Sequence, residues 1–207
     1  ALTELEVRHL SPYSTREKIG RLLWSIVEKT LFRLSFPTWY RWRAMLLRLF
    51  GARVGPKSQI RRTVHFECPW QFSCADHCSI GDHAIIGGLS GIHQFVRIGA
   101  YAMVGGCCAL GQDLPPFMRA AGGYRARMYG LNSIGLRRHG FSSERIAALK
   151  KSYEVLFRFG HRVAEAVKLA RENFSASPDV MQVAAFMEGT KRGICRSVGK
   201  DQEGEEE

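Results

Sequence analysis

Apolar residues recur at every sixth position through the middle of the chain. Consecutive units of six begin at Cys74, and they read CADHCS, IGDHAI, IGGLSG, IHQFVR, IGAYAM, VGGCCA and LGQDLP. The first position is aliphatic in every unit but the first, the second is most often glycine, and the fifth is small or apolar. A period of six fits neither the 3.6-residue repeat of a helix nor the simple alternation of a strand. The pattern predicts short strands joined by tight turns, with the first and fifth positions pointing inward.

This hexapeptide repeat resembles that of the left-handed parallel β-helix acyltransferases, in which three units form one triangular coil. The resemblance implies a solenoid whose coils stack at the spacing of a β-sheet. Upstream, Val54, Ile60 and Phe66 keep the spacing of six, and a longer interval then separates Phe66 from Cys74. We therefore expect three to four coils within residues 51–116, with a short loop interrupting the register near Pro69.

Helical patterns flank the predicted solenoid on both sides. Apolar residues at helical spacing predict two helices in an N-terminal cap, residues 1–50, with a break at Pro37. Residues 117–199 are expected to form a glycine-rich loop and a C-terminal helical domain, and residues 200–207 a disordered acidic tail. The C-terminal helices are predicted from Ser142 or Ser143 toward Phe159, over 161–173 and over 178–191. The fold class is therefore a β-solenoid plus α.

Composition narrows the class of protein. The chain has 207 residues, which is long enough to bury a core without disulfides. Its six cysteines lack paired spacing, no apolar stretch approaches the length of a membrane span, and no secretory signal is recognisable, so we expect a cytoplasmic protein. The net charge of +11 predicts an acidic partner. Nucleic acid is not expected, because no binding motif accompanies the charge.

Longer motifs point to two families. The stretches GDHAIIGG, IHQFVRIGAYAMVGGC, QDLPPF, YGLNSIGLRRHGFS and TKRGICR follow one another in that order. In this part, residues 80–196, the chain resembles the acyl-carrier-protein-dependent UDP-N-acetylglucosamine O-acyltransferases of lipid A synthesis. The stretches LLRLFGARVG, IRRTVHFECPW and DHCSIGDHA make residues 14–80 resemble the colanic-acid type O-acetyltransferases. We interpret the chain as a chimera of two relatives, joined near GDHAII.

The first resemblance implies a specific activity. It is the transfer of a hydroxyacyl chain from acyl carrier protein to the 3-hydroxyl of UDP-N-acetylglucosamine, by a homotrimer that needs no metal or redox cofactor. Two alternatives stay open. The N-terminal part favours an acetyl-CoA-dependent O-acetyltransferase of exopolysaccharide synthesis, and a catalytically inactive sugar-nucleotide-binding or scaffold protein is the other.

Histidines are the candidates for the general base that such a transfer requires, because an imidazole titrates near working pH. If every coil consists of three hexads, His77 and His93 fall on nearly the same outer face of adjacent coils. His65 and His83, which are separated by three hexads, are expected to stack on another face. His93 also stands at a second position that is glycine in five other units. We predict His77 as the catalytic base.

The remaining site residues come from the resemblance. It implies that substrate contacts are made by His93, Gln94, Gly106, Asn132, Arg137 and Arg138. Gly106 would leave room for the end of the acyl chain, and guanidinium groups suit phosphates. The family's own base is a histidine one coil before the position of His77, where this chain reads VGPKSQIRRTVHF and has no histidine. Either His77 has taken over that role, or catalysis is weak or absent.

Two further patterns carry alternatives. The run of His65, Cys68, Cys74, His77 and Cys78 lacks a usual zinc spacing, so the cysteines are expected in the core and no metal site is predicted. Residues 16–50 carry eight Lys and Arg against two Glu, interleaved with Trp and Tyr. That composition suits peripheral contact with a membrane, and it equally suits a cap with a solvated basic side.

Overall fold

The computed structural model describes residues 14–159 and 161–195. The predicted acidic tail, residues 200–207, and the start of the predicted cap, residues 1–13, lie outside these ranges. Within the described ranges, each helix is too short or too polar to cross a lipid bilayer.

Twelve strands of the described chain form the centre of the molecule. They are β1 (Arg53–Val54), β2 (Gln59–Ile60), β3 (His65–Phe66), β4 (Ser73–Cys74), β5 (Ser79–Ile80), β6 (Ile85–Ile86), β7 (Gly91–Ile92), β8 (Arg97–Ile98), β9 (Met103–Val104), β10 (Ala109–Leu110), β11 (Met118–Ala121) and β12 (Arg127–Leu131). Three sheets result, in the orders β1-β4-β7-β10, β2-β5-β8 and β3-β6-β9-β11-β12. We call them face 1, face 2 and face 3. Only the β11–β12 pair within these sheets is antiparallel.

The structure confirms the predicted fold class, a left-handed parallel β-helix, and the strand register shows about four coils where the sequence predicted three to four. Ile80 pairs with Ile98, three hexads later, whereas the interval from Ile60 to its partner Ile80 is longer than three hexads by two residues. The additional length lies at a short 3-10 helix, Pro69–Gln71, where the sequence predicted a loop. One consequence is that His65 pairs with Ile85 and does not stack on His83. The predicted pairing of these two histidines is therefore wrong, because it assumed the same coil length throughout.

Inward-pointing apolar side chains hold the coils together. The first hexad positions stack into ladders along each face, and Ile60, Ile80 and Ile98 on face 2 are each at most 2% exposed. The fifth positions, among them Cys78 and Ala84, are also buried. Burying one such aliphatic side chain contributes roughly 1.5–3 kcal/mol. The six-residue period therefore sets both the fold and its stability.

Side chains from the N-terminal helices close the open end of the first coil. These helices are α1 (Thr15–Val27), the π-helix Glu28–Phe32 and α2 (Tyr40–Leu49). Within the described ranges, β1, β2 and β3 are the first strands of their sheets, and the Val54, Ile60 and Phe66 carbonyls accept hydrogen bonds from side chains of the helices. The donors are Arg48 for Val54, Arg43 for Ile60 and Trp24 for Phe66.

Arg43 is the most deeply placed of the three donors, because its side chain is fully buried. Its remaining N–H groups donate to the Ser35 hydroxyl and to the carbonyls of Phe36 and Pro37. Four oxygens thus replace the water that a buried guanidinium would lose. The helices are joined to the solenoid by satisfied polar groups as well as by apolar packing.

The C-terminal part begins beyond the predicted end of the solenoid at residue 116. Phe117, Met118 and Ala120 are fully buried and give the fourth coil its third side, so the β-helix continues to Ala121. Pro115 and Pro116 do not end it, because β11 begins two residues after Pro116. The helices that follow in the described chain are α3 (Ser133–Arg138), α4 (Ser143–Phe157), α5 (Val163–Asn173) and α6 (Pro178–Glu188). Ser142 caps α4 by accepting from the Arg145 N–H, as its sequence position predicts.

The close stacking of coils predicts a matched pair of substitutions at the second hexad position. A Cβ atom on Gly87 would lie 2.5 Å from the Gly106 nitrogen, whereas a Cβ atom on Gly111 would meet nothing within 4 Å. We expect Gly87→Ala to lower the free energy of unfolding by about 1–3 kcal/mol, and Gly111→Ala to change it by less than about 0.5 kcal/mol. Urea unfolding followed by circular dichroism measures both. Equal effects of the two substitutions would contradict this packing.

The end cap also predicts a pH dependence of stability. Glu28 accepts hydrogen bonds from the Phe66 N–H and from His65 Nδ1, and this contact raises the pKa of His65. A raised pKa in the folded state contributes stability below the usual histidine pKa of about 6.5, and this contribution is lost as the pH rises through the folded value. His65→Gln should therefore destabilise the protein more at about pH 5.5 than at about pH 8. Unfolding free energies of both proteins at both pH values measure this, and a difference independent of pH would refute the pairing.

Candidate active site

The turns between faces 1 and 2, which we call corner 1, carry most of the candidate chemistry. From the first coil to the fourth, corner 1 contains Pro56 and Lys57, then His77, then His93 to Phe95, then Asp113. The place one coil before His77 is thus occupied by Pro56 and Lys57, and the Pro56 carbonyl accepts from the His77 N–H at 3.1 Å. No histidine stands there, as the sequence indicated.

His77 is an exposed side chain with a fixed orientation. Its backbone has the left-handed conformation, with φ at 57°, which turns the chain sharply between β4 and β5. The imidazole stacks on the Phe95 ring of the next coil, with ring centroids 5.2 Å apart. Within the described residues, no carboxylate is hydrogen-bonded to the His77 ring. The imidazole is therefore held by stacking and remains open to a substrate.

His77 lines a groove along face 2 that is rich in positive charge. The groove has a volume of about 660 Å³, and Lys57, Lys191 and Arg192 line it together with Arg97. Arg97 is engaged internally, because it pairs with the buried Asp113 at 3.4 Å and donates to the carbonyls of residues 186 and 189. The other cations give the groove an excess of positive charge. An anionic substrate would be attracted to it.

His93 lies on the other side of corner 1. It lines a larger groove, of about 1160 Å³, along face 1, where the outward positions of successive strands are Arg53, Ser73, Gly91 and Ala109. The predicted common outer face of His77 and His93 is therefore only partly correct. Both belong to corner 1, but His77 is at the fourth hexad position and His93 at the second, so the corner separates them into different grooves. Gln94 is exposed beside His93 on the same turn.

Corner 2, between faces 2 and 3, contains another part of the predicted site. Asn132 is 5% exposed, donates from Nδ2 to the Tyr101 carbonyl and accepts from the Gly135 N–H as the cap of α3. Arg137 and Arg138 are exposed at the end of this helix. Asn132 thus holds in place the helix that presents the two arginines.

Three aromatic rings pack against one another along corner 2. His83 stacks on Tyr101 with centroids 4.8 Å apart, and His139 meets His83 edge-on at 4.9 Å. Burial lowers the pKa of His83, and the neighbouring His139 lowers it further. Both causes disfavour the charged form of His83 in this ring cluster.

Gly106 lies at corner 3, between faces 3 and 1, and is exposed. A Cβ atom there would meet only the Gly88 carbonyl oxygen within 4 Å, at 3.4 Å, which is an ordinary van der Waals distance. The predicted site residues are consequently spread over all three corners. One chain alone does not bring His77 together with Gly106, Asn132 and the two arginines.

Sequence reasoning missed several residues of the two grooves. Lys57 stands one coil before His77, and the longer interval near Pro69 was the signal that could have placed it there. Arg125 and Arg127 enter the face 1 groove from the turn and strand that follow the fourth coil, which the sequence did not predict. Lys191 and Arg192 reach the face 2 groove from beyond α6, and no sequence signal indicated that.

The cysteines that the sequence placed in the core are buried and do not form a metal site. Cys74 and Cys78 are buried at inward hexad positions, next to each other. Between residues 14 and 195, leaving out residue 160, no three His, Cys, Asp or Glu side chains are grouped closely enough to hold a metal ion.

Comparison with known proteins identifies relatives for the C-terminal part. The family model described as Udp N-acetylglucosamine O-acyltransferase, domain 2, matches residues 113–195. The acyl-[acyl-carrier-protein]–UDP-N-acetylglucosamine O-acyltransferase of Burkholderia orbicola is 49% identical over 126 residues, which cover 59% of this chain and 48% of that protein. The chain thus spans about half the length of the curated relatives it matches.

Solved structures of the same name share the fold. The UDP-N-acetylglucosamine acyltransferase from Campylobacter jejuni is 33% identical, with a TM-score of 0.57 over 72% of this chain and 54% of that one. The one from Bacteroides fragilis is 31% identical, with a TM-score of 0.62 over 68% of this chain and 54% of that one. Both matches cover a larger share of the chain than the part after residue 80, so they extend into the part before it. Nothing in these comparisons supports a chimera. In sequence and in fold, the chain is therefore similar to the UDP-N-acetylglucosamine O-acyltransferases, as its motifs indicated.

Proposed function

We propose that the protein is an O-acyltransferase that moves a hydroxyacyl chain from acyl carrier protein to the 3-hydroxyl of UDP-N-acetylglucosamine. The observation that carries the proposal is the similarity to relatives of that name, one of which is 49% identical. The basic groove beside His77 is consistent with it, because both the nucleotide diphosphate and the carrier protein are acidic.

In this proposal, His77 removes the proton from the sugar hydroxyl, and the resulting oxygen nucleophile attacks the thioester carbonyl. The tetrahedral intermediate collapses by breaking the C–S bond, and the proton held by His77 passes to the departing thiolate. The imidazole of His77 is suited to this work by its exposure and by the fixed orientation that Phe95 gives it. Lys57, Lys191 and Arg192 would attract and hold the phosphates.

The site is completed, we propose, in a homotrimer. His77, His93 and Gln94 lie at corner 1, Asn132, Arg137 and Arg138 at corner 2, and Gly106 at corner 3, so a threefold arrangement could bring corners of different copies together. Arg138 of one copy would then hold the nucleotide while His77 of another acts on the sugar. A cytoplasmic location belongs to the same proposal, and the free cysteines of the described chain are consistent with a reducing compartment.

One observation favours an inactive protein instead. Pro56 and Lys57 fill the place at which the resemblance implies the family's own base, so no imidazole stands there to accept the hydroxyl proton. Loss of a general base typically costs about 10²–10⁴ in rate. The acetyl-CoA-dependent activity is the other alternative. One experiment distinguishes the carrier-protein-dependent enzyme, the acetyl-CoA-dependent enzyme and the inactive protein.

The experiment incubates the purified chain with radiolabelled UDP-N-acetylglucosamine and either hydroxyacyl-carrier protein or acetyl-CoA. We expect ester product with the carrier protein only. With the donor that gives product, His77→Asn should lower kcat by about 10²–10⁴. Asparagine is chosen because it tolerates the left-handed backbone at this position. His161→Asn, which changes an exposed histidine just before α5, serves as the matched control and should leave kcat unchanged. Product from acetyl-CoA alone, or no product from either donor, would overturn the proposal.

A further inference from the structure

The outward side of helix α1 is apolar, although its inward side already packs on the solenoid. Ile19, Leu22, Leu23 and Ile26 follow the spacing of one helical face, and each is more than half exposed. On the opposite side, Trp24 is 2% exposed. A helix that is apolar on both sides normally has a partner on each. The solenoid covers only one of them.

The apolar surface continues into the segment between α1 and α2. Leu34, Phe36 and Trp39 are 77%, 64% and 56% exposed. The segment is anchored from behind, because the Trp42 ring N–H donates to the Leu31 carbonyl and Arg43 holds the carbonyl of Phe36. These exposed side chains are therefore presented by a fixed backbone. We call the outward face of α1 together with this segment the apolar ridge, residues 19–39.

Positive charge surrounds the apolar ridge. Exposed basic side chains flank it at Arg16, Lys18, Lys29, Arg33 and Arg41. The described part of the chain before residue 50 has two acidic residues, and both are used internally. Glu17 forms a capping box with Ser14, and Glu28 binds His65 and the Phe66 N–H. The ridge therefore has a basic border, and both acidic side chains near it are engaged in hydrogen bonds within the chain.

We propose that the apolar ridge binds the surface of an anionic lipid bilayer, with α1 lying in the plane of the headgroups. An in-plane helix of this kind places apolar and aromatic side chains at the level of the headgroups and its cations against lipid phosphates. A second copy of the chain fits less well, because the same ridge on that copy would bring one basic border against another. The charge border is thus the observation that selects anionic lipid as the occupant. This inference is independent of the proposed catalytic activity.

The test is co-sedimentation of the full chain with vesicles of phosphatidylcholine alone and with vesicles that also contain phosphatidylserine. We expect binding to the anionic vesicles only, with weaker binding at high salt. Leu22→Gln/Leu34→Gln should abolish binding. Lys18→Gln/Lys29→Gln should lower the partition coefficient by roughly tenfold or more, since each cation near an anionic surface contributes about fivefold. Val163→Gln, an exposed apolar residue on α5, is the matched control and should bind like the unmodified chain.

Circular dichroism of each variant verifies that the fold is retained, and sedimentation equilibrium without vesicles measures the oligomeric state. Equal binding to both vesicle types, or binding to neither, would overturn the proposal. The proposal is also overturned if the unmodified chain binds no vesicles and Leu22→Gln/Leu34→Gln lowers the oligomeric state. That result would assign the ridge to a contact between copies.

Discussion

The need to pair backbone N–H and C=O groups governs the architecture of this protein. Strands of two residues cannot pair within one coil, so each coil takes its hydrogen bonds from the coils before and after it. A short stack therefore has two ends at which whole rows of polar groups would be left without partners. Helices α1 and α2 close the first end with Trp24, Arg43 and Arg48, and β12 adds an antiparallel strand at the other end on face 3. The caps complete the hydrogen bonding of the solenoid, and the solenoid in turn fixes the caps.

The same geometry decides where function can be located. Inward positions must be apolar, so polar side chains that can act on a substrate are confined to the corners and to the outward positions of the strands. His77, the arginines after α3 and Gly106 occupy three different corners of one chain. A triangular coil cannot bring its own corners together. Any site that uses all of these residues needs corners from neighbouring copies, which is why activity and assembly are linked in the proposed function.

The sequence predicted the repeat, a solenoid of three to four coils and the flanking helices because each depends on local periodicity. It failed where a distant contact or a change of register decided the outcome. The longer interval near Pro69 shifts the first coil, which separates His65 from His83 and places Lys57 above His77. The strands β11 and β12 were missed because two prolines and a glycine-rich segment indicate a loop. The burial of Arg43 depends on four oxygens that are brought together only by folding, and the separation of His77 from His93 depends on which hexad position each occupies.

Complementation between two inactive variants tests the shared site most directly. His77→Asn and Arg138→Ala remove side chains from different corners, and the two chains can be co-expressed so that they assemble together. If sites form between copies, some sites in the mixture contain both intact side chains, and random assembly predicts about a quarter of the unmodified rate. A mixture no more active than the two variants measured separately would contradict the account, because each chain would then have to supply the whole site itself.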